Sequence, residues 1–274
     1  MGWLQRIIGS DASGGRSGGL APSGERNQGN PPSANGASSM HLFWDLDGRF
    51  AAAEVTLTVI EPPRVDRLYF WALQATFTDG TEDLGGAHLG LQWHPDYPGR
   101  TAANWGGYRS GGGELDGSTS ALPSALGNPH TRNFAWQAAI PYRLRIERSP
   151  DRPGAWRGSV GDLRTGSSTV IRDLYPGGTH LRSLMMWSEV FARCDHPSVA
   201  VRWSDPVAID DDGRRHRPSS VTVNYQSLDE GGCSNTSCDA HTDAMTDGGT
   251  DAPAIVQRTA VARTTTQGTH LALP

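Results

Sequence analysis

The chain has 274 residues, of which 36% are hydrophobic and 19% are charged, and its formal net charge is −5. It contains 34 glycines and 18 prolines, a composition that favours many short strands joined by tight turns over long helices. No basic block indicates nucleic-acid binding, and no acidic block indicates a solvating tail. No apolar run approaches the roughly 20 residues that are needed to cross a bilayer.

The first residues, MGWLQRII, are followed at once by glycine and serine. An export signal needs a longer apolar core after positive charge, so the sequence predicts a cytoplasmic protein. Export by a route that the sequence does not reveal remains the alternative.

Both ends of the chain differ in composition from the middle. Residues 1–40 are rich in glycine, serine, proline and asparagine, and residues 236–274 are largely polar. Such segments cannot bury enough apolar surface to offset the entropy of ordering, so we expect two disordered tails around one folded domain at residues 41–235.

The middle of the chain alternates in the manner of β-strands. Ala53, Val55, Leu57 and Val59 point one way and are separated by polar residues, which is the period of a half-buried strand. In the stretch 69–77 both alternating sets begin apolar, so this strand is expected to be central and covered on both faces. Ten or more such strands, separated by turn signals, predict an all-β jelly roll or β-sandwich without a convincing helix.

The order of several motifs resembles a known family. The runs YFWALQATF, GGAHLGLQW and ANWGGY are followed by WRGSVGDLRTG and MMWSEVFARCD. This order looks like that of an uncharacterised bacterial family with a concanavalin A-like jelly-roll fold. The resemblance implies that fold for about residues 40–235 and implies no particular activity, because such folds host lectins, glucanases, lyases and plain binding modules.

Aromatic and uncharged polar residues cluster in the central strands. Sugars are bound by aromatic rings together with a few polar groups, so these residues predict a ligand-binding face. The candidate ligand-binding residues are Gln74, Gln92, Trp93, His94, Asn104, Trp105 and Tyr108. The alternative is that the tryptophans fill the core and the amides satisfy buried backbone groups.

An enzyme is the second possibility. Glycoside hydrolysis needs two carboxyl groups roughly 5–10 Å apart, and the Glu-x-Asp-x-x-Glu pattern of related glucanases is absent. Glu189 lies in an apolar strand, where a carboxylate needs a partner, and we expect that partner to be Arg182, Arg202 or a ligand. Glu189 and His94 are therefore the candidate catalytic residues.

Three cysteines leave several states open. Cys194 and Cys233 could form a disulfide, all three thiols could be free, or the cysteines could bind zinc with His196 and His241. Their spacing matches no standard zinc pattern, the run Asp210–Gly213 lacks the downstream acid of a calcium loop, and no phosphate loop is present, so we predict no metal and no cofactor.

The sequence thus predicts a non-catalytic binding module for a carbohydrate or a similar polar ligand. A glycan hydrolase or lyase that uses Glu189 and His94 is the first alternative, and a protein-interaction domain is the second.

Overall fold

The computed structural model describes residues 24–242 and 253–273, which form sixteen strands and, within these ranges, no α-helix. The strands are β1 (Ser38–Trp44), β2 (Ala52–Glu61), β3 (Tyr69–Thr78), β4 (Asp83–Trp93), β5 (Thr101–Arg109), β6 (Thr131–Asn133), β7 (Pro141–Arg148), β8 (Trp156–Asp162), β9 (Ser167–Leu174), β10 (His180–Val190), β11 (Ala200–Ile209), β12 (Arg215–His216), β13 (Ser220–Tyr225), β14 (Thr236–Thr242), β15 (Pro253–Thr259) and β16 (His270–Ala272). Two single 3₁₀ turns lie in loops, Pro98–Arg100 between β4 and β5 and Ala125–Gly127 between β5 and β6.

The strands form two antiparallel sheets. The first sheet has the order β16-β13-β1-β10-β3-β4-β5-β6, and the second has the order β14-β15-β11-β2-β7-β8-β9, with β12 paired to β11. One hydrophobic cluster draws on strands of both sheets, from Leu73 and Trp105 in the first to Val55 and Trp203 in the second. The prediction of an all-β sandwich is confirmed.

Strand β3 shows how the sequence determines the layering. Its inner residues include Trp71, Leu73 and Phe77, which are almost completely buried in the shared core. Side chains alternate across a strand, so Phe70, Ala72 and Gln74 project from the opposite, outer face of the first sheet. They are buried as well, which agrees with the expectation of a central strand covered on both sides.

The predicted domain boundaries need correction at both ends. Strands β14, β15 and β16 lie in the range 236–274, which was expected to be a disordered tail, yet they pair with β11, β13 and each other. At the other end, β1 begins at Ser38, and the Arg26 guanidinium donates to the Leu228 and Gly232 carbonyls at 2.9 and 2.8 Å. Residues 1–23 of the predicted N-terminal tail lie outside the described residues.

The cysteines are resolved into one disulfide and one thiol. Cys194 and Cys233 are bonded, which selects the disulfide among the three states that the sequence left open. Cys238 is a buried thiol on β14, and burial raises its pKa to about 12, so it is not a reactive thiolate. Within the described ranges, no helix is long and apolar enough to span a membrane.

Candidate functional site

The outer face of the first sheet brings several polar residues together. Glu189 on β10 lies opposite Phe70 on β3, which in turn lies opposite Gln92 on β4. Two residues along β3, Gln74 lies opposite His88 on β4. Residues directly opposite each other project from the same face of a sheet, so these side chains share one surface. We call the set Gln74, His88, Gln92, Asn104 and Glu189 the outer-face site.

Aromatic rings form the apolar part of this surface. The Phe70 and Trp187 rings meet edge to face with their centroids 4.8 Å apart. The His88 ring lies 5.3 Å from Phe70 and 5.6 Å from Trp187. The indole Nε1 of Trp187 donates to Gln74 Oε1 at 2.9 Å, which fixes the orientation of that amide. The Gln74 amide is thus held beside a packed aromatic wall, which is formed by Phe70 and Trp187.

Each amide of the site uses one of its two polar atoms within the protein. Gln92 Oε1 accepts from the Tyr97 hydroxyl at 2.9 Å, and Asn104 Nδ2 donates to Thr131 Oγ1 at 2.8 Å. Asn104 Oδ1 and His88 Nδ1 are buried and have no hydrogen-bond partner among the described residues. The Nε2 atoms of Gln74 and Gln92 likewise make no hydrogen bond within the described chain. Several donors and acceptors on this one face therefore have hydrogen-bonding capacity that the described residues do not use.

Glu189 is the acid of the site. Burial raises the pKa of its carboxyl group from the ordinary value of 4.5 to about 7, and a hydrogen bond from Asn35 opposes that rise. Asn35 Nδ2 lies 3.2 Å from Glu189 Oε1, while Asn35 Oδ1 accepts from the Ala37 backbone N–H and from Ser33 Oγ, both at 3.1 Å. The turn at residues 33–37 thereby directs the amide donor at the carboxyl group. The expected partner Arg182 instead contacts Asp83, with its Nη2 2.6 Å from Asp83 Oδ2.

A second group of ionisable residues adjoins the site. Burial and the nearby carboxylates of Glu114 and Glu189 raise the pKa of Tyr108. Glu114 Oε2 lies 2.9 Å from His130 Nε2. Burial and the neighbouring His130 lower the pKa of His88 to about 4, so the His88 ring is neutral at physiological pH.

A glycine makes the position of His130 possible. Gly106 lies opposite His88, and a Cβ at that position would lie 2.8 Å from the Cβ of His130. Any larger residue would displace the imidazole, so the absence of a side chain at Gly106 brings His130 against the sheet beside His88.

The candidate residues from the sequence divide between the two faces. Gln74, Gln92, Asn104 and Tyr108 lie on the outer face because they share one alternation across β3, β4 and β5. Trp105 follows Asn104 on β5, so its side chain points to the other face of the sheet. It is fully buried in the core, where its Nε1 donates to the Trp156 carbonyl at 3.2 Å. It is therefore a core residue, not part of the outer face.

Two other candidates also lie apart from the outer-face site. Trp93 packs against the core, with the Arg100 guanidinium 5.6 Å from its ring centroid. His94 follows β4 in a loop, where its Nδ1 accepts from the Asp96 backbone N–H at 3.1 Å. No hydrogen bond or ion pair in the described chain joins His94 to Glu189, so the two catalytic candidates do not form a pair.

One residue of the outer-face site and the two aromatic residues beside it were missed from the sequence. His88 lies four residues before Gln92 on β4, so strand alternation places both on the same face, and this signal in the sequence could have identified His88. Phe70 and Trp187 meet only because β3 pairs with β10, which lies more than a hundred residues further along the chain. That pairing has no local signature in the sequence.

Another buried acid helps to judge Glu189. Glu54 on β2 is almost fully buried, but Arg145 Nη1 and Arg215 Nη2 lie 2.7 and 2.6 Å from its carboxylate. A buried carboxylate between two guanidinium groups is compensated and structural. Glu189 has an amide in place of a cation, and such an uncompensated, recessed acid is a candidate functional group.

Within the described residues, neither the cavities nor the clusters of ionisable side chains indicate a second functional site. A cavity of about 460 Å³ lies elsewhere, lined by residues 24–28 and Leu228, and it contains none of the perturbed groups. Within the described residues, no group of three or more His, Cys, Asp or Glu side chains is arranged to hold a metal ion.

Comparison with known proteins identifies distant similarity to solved structures. No family model matches the chain, and no curated protein matches it. Scytalido-glutamic peptidase bound to a peptide-based transition state analogue is 11% identical, over 80% of this chain and 97% of its own, with a TM-score of 0.44. SCP-B, a member of the eqolisin family of peptidases, bound to the tripeptide Ala-Ile-His, is 11% identical over 81% and 96%, with a TM-score of 0.39. A native glycosidic hydrolase is 13% identical over 62% and 86%, with a TM-score of 0.24.

Proposed function

We propose that the outer-face site binds a polar ligand of the carbohydrate type. The observation that carries this proposal is the set of unused donors and acceptors beside an aromatic wall: Gln74 Nε2, Gln92 Nε2, Asn104 Oδ1 and His88 Nδ1. Sugar hydroxyl groups donate and accept hydrogen bonds at once, and the apolar faces of sugar rings pack against aromatic side chains. Of these atoms, Asn104 Oδ1 and His88 Nδ1 are buried. Buried polar groups without partners are uncommon in native proteins, and a hydroxyl-rich ligand would satisfy them.

Membership of the uncharacterised bacterial family suggested by the motif order forms part of this proposal. The Cys194–Cys233 disulfide supports an oxidising compartment over the cytoplasm, because structural disulfides persist mainly outside reducing environments.

A change at Gln92 should weaken ligand binding. In Gln92→Glu the carboxylate keeps the acceptor for the Tyr97 hydroxyl and replaces the free Nε2 donor with an acceptor. We expect a glycan identified by array screening to bind the wild type and to lose about tenfold or more in affinity to the variant, the effect of one lost hydrogen bond. Isothermal titration calorimetry measures this loss.

The matched control is Gln137→Glu, which makes the same substitution at an exposed position between β6 and β7. It should bind the glycan like the wild type. If no glycan binds the wild type, or if both variants bind as the wild type does, the proposal is wrong.

Hydrolysis is the second candidate function, and the recessed Glu189 carboxyl group, whose pKa burial raises, is the observation that favours it. An acid with a pKa near 7 can give a proton to a leaving group or take one from attacking water at neutral pH. Glu114, the other carboxylate that acts on Tyr108, is the candidate for a second acid. Such a pair could serve hydrolysis of a glycosidic or an amide bond.

Activity should then depend on Glu189. Panels of polysaccharides and peptides, followed by reducing-sugar release and by mass spectrometry, should reveal turnover that falls about 100-fold to 10,000-fold in Glu189→Gln. Glu82→Gln, a change at an exposed glutamate, serves as the control and should keep full turnover. Equal turnover in the wild type and Glu189→Gln would exclude this role for Glu189.

A further inference from the structure

Two arginines project from the inner faces of the two sheets at one open side of the sandwich. β6 is the last strand of the first sheet and β9 is the last strand of the second. Arg132 on β6 lies opposite Ala103, a core residue, so both project from the inner face of the first sheet. Arg172 on β9 lies opposite Gly158, whose missing Cβ would point at the buried ring of Trp105. Arg172 therefore projects from the inner face of the second sheet, towards the first.

Arg172 is almost completely buried, with an exposed fraction of 5%. Its Nη1 donates to the Pro129 carbonyl at 2.5 Å and lies 3.5 Å from His130 Nδ1. The guanidinium lies close against the loop that precedes β6, because a Cβ at Gly117 would be only 1.8 Å from Nη2. Its Nε is buried and has no hydrogen-bond partner among the described residues.

Arg132 also has a buried guanidinium nitrogen without a hydrogen-bond partner in the described part of the chain. Its Nε is also buried and lacks a partner within the described ranges. Burial lowers the pKa of both guanidinium groups, and the charge of Arg132 lowers that of Arg172 further.

The neighbouring acids are occupied elsewhere. Asp173 Oδ1 lies 3.0 Å from Arg157 Nε, Glu114 contacts His130, and Asp116 Oδ2 lies 2.6 Å from Arg109 Nη2. Among the described residues, no carboxylate forms an ion pair with either Arg132 or Arg172. A buried charge without a counter-charge is costly, and guanidinium groups are suited to bind oxyanions through paired N–H donors.

We propose that Arg132 and Arg172 form a binding site for one oxyanion, either a free inorganic anion such as sulfate or the carboxylate of an acidic sugar. The site lies between the sheet edges, and its Arg172 end adjoins the outer-face site through His130. It stands or falls independently of the carbohydrate-binding proposal.

Thermal unfolding against sulfate tests this site. At constant ionic strength, replacing chloride with sulfate should raise the Tm of the wild type saturably, by about 3–5 °C at ten times the Kd. Arg132→Gln should lose the saturable rise. Arg164→Gln, which removes an exposed guanidinium in the β8–β9 turn, should keep it.

Two further arms complete the experiment. Glucuronate compared with glucose distinguishes the sources, because a rise with glucuronate alone assigns the site to an acidic sugar and a rise with sulfate assigns it to the inorganic anion. Selenate soaked into crystals should give an anomalous peak between the two guanidinium groups. The proposal is overturned if neither sulfate nor glucuronate produces a saturable rise, or if the rise is the same in Arg132→Gln as in the wild type, as a general salt effect would be.

Discussion

Replacing Cys194 and Cys233 together with serine should lower the free energy of unfolding by about 4 kcal/mol. The disulfide closes a loop between residues that are 39 positions apart, and that loop contains β11, β12 and β13. In the chain-entropy account, the bond excludes many extended conformations of the unfolded chain, and a loop of this length gives the stated value. A loss of this size is a large part of the stability of a typical domain.

The surrounding hydrogen bonds explain why the double variant should still fold. The Cys194 N–H donates to the Gly29 carbonyl at 2.8 Å, and the Cys233 N–H donates to Ser38 Oγ at 2.9 Å. Asn235 Nδ2 also donates to the Cys194 carbonyl at 2.8 Å. These contacts hold both cysteine backbones in place without the bond, so the variant should lose stability while keeping its native structure.

Urea unfolding followed by tryptophan fluorescence measures the loss. The wild type treated with dithiothreitol serves as the control, because it should match the double variant in midpoint and slope. A change below about 1 kcal/mol would show that the loop is already constrained in the unfolded state.

The layering of the fold could be predicted from the sequence because it depends on alternation. In β2 and β3 the side chains of Val55, Leu57, Trp71 and Leu73 follow a period of two, and this pattern alone determines which face enters the core. The same alternation places Gln74, Gln92 and Asn104 together on the opposite, outer side of the first sheet. What alternation cannot supply is the order of the strands, so Glu189 could not be placed beside Phe70 from the sequence.

The C-terminal strands were missed for a different reason. Their polar residues are buried by hydrogen bonding, which a composition-based argument treats as evidence for disorder. Gln257 on β15 is almost fully buried, because its Oε1 accepts from Trp203 Nε1 and Ser188 Oγ while its Nε2 donates to the Met40 carbonyl. A polar residue with such partners is a core residue, and only the three-dimensional structure reveals the partners.

The tryptophans were the least predictable residues. Trp105 and Gln92 lie on neighbouring strands with turn-formers between them, and both fit the composition of a sugar-binding face. Trp105 fills the core because its parity places it there, whereas Trp187, which was not selected, forms part of the aromatic wall. The position of a residue in the alternation along its strand is therefore a better guide to the site than its residue type.

Replacing Glu189 with glutamine should stabilise the protein at alkaline pH and leave its stability nearly unchanged at acidic pH. The pKa of Glu189 in the folded protein is about 7, above the ordinary value of 4.5. The folded state therefore holds this proton more tightly than the unfolded state does. As the pH rises from 4.5 through 7, the wild type loses stability, and above pH 7 the full cost is present, about 2–3 kcal/mol for a partly exposed carboxylate.

Glutamine resembles the protonated acid in shape and carries no charge, so the variant should escape this cost. The difference in unfolding free energy between Glu189→Gln and the wild type should be near zero at pH 4 and about 2–3 kcal/mol in favour of the variant at pH 8.5. Urea titrations at both pH values measure it, with Glu82→Gln as an exposed control whose difference should stay constant. A difference that is equally constant for Glu189→Gln would mean that the carboxylate is well solvated in the folded state. Glu189 would then lack the proton at neutral pH that a general acid in hydrolysis must hold, and the binding function alone would remain.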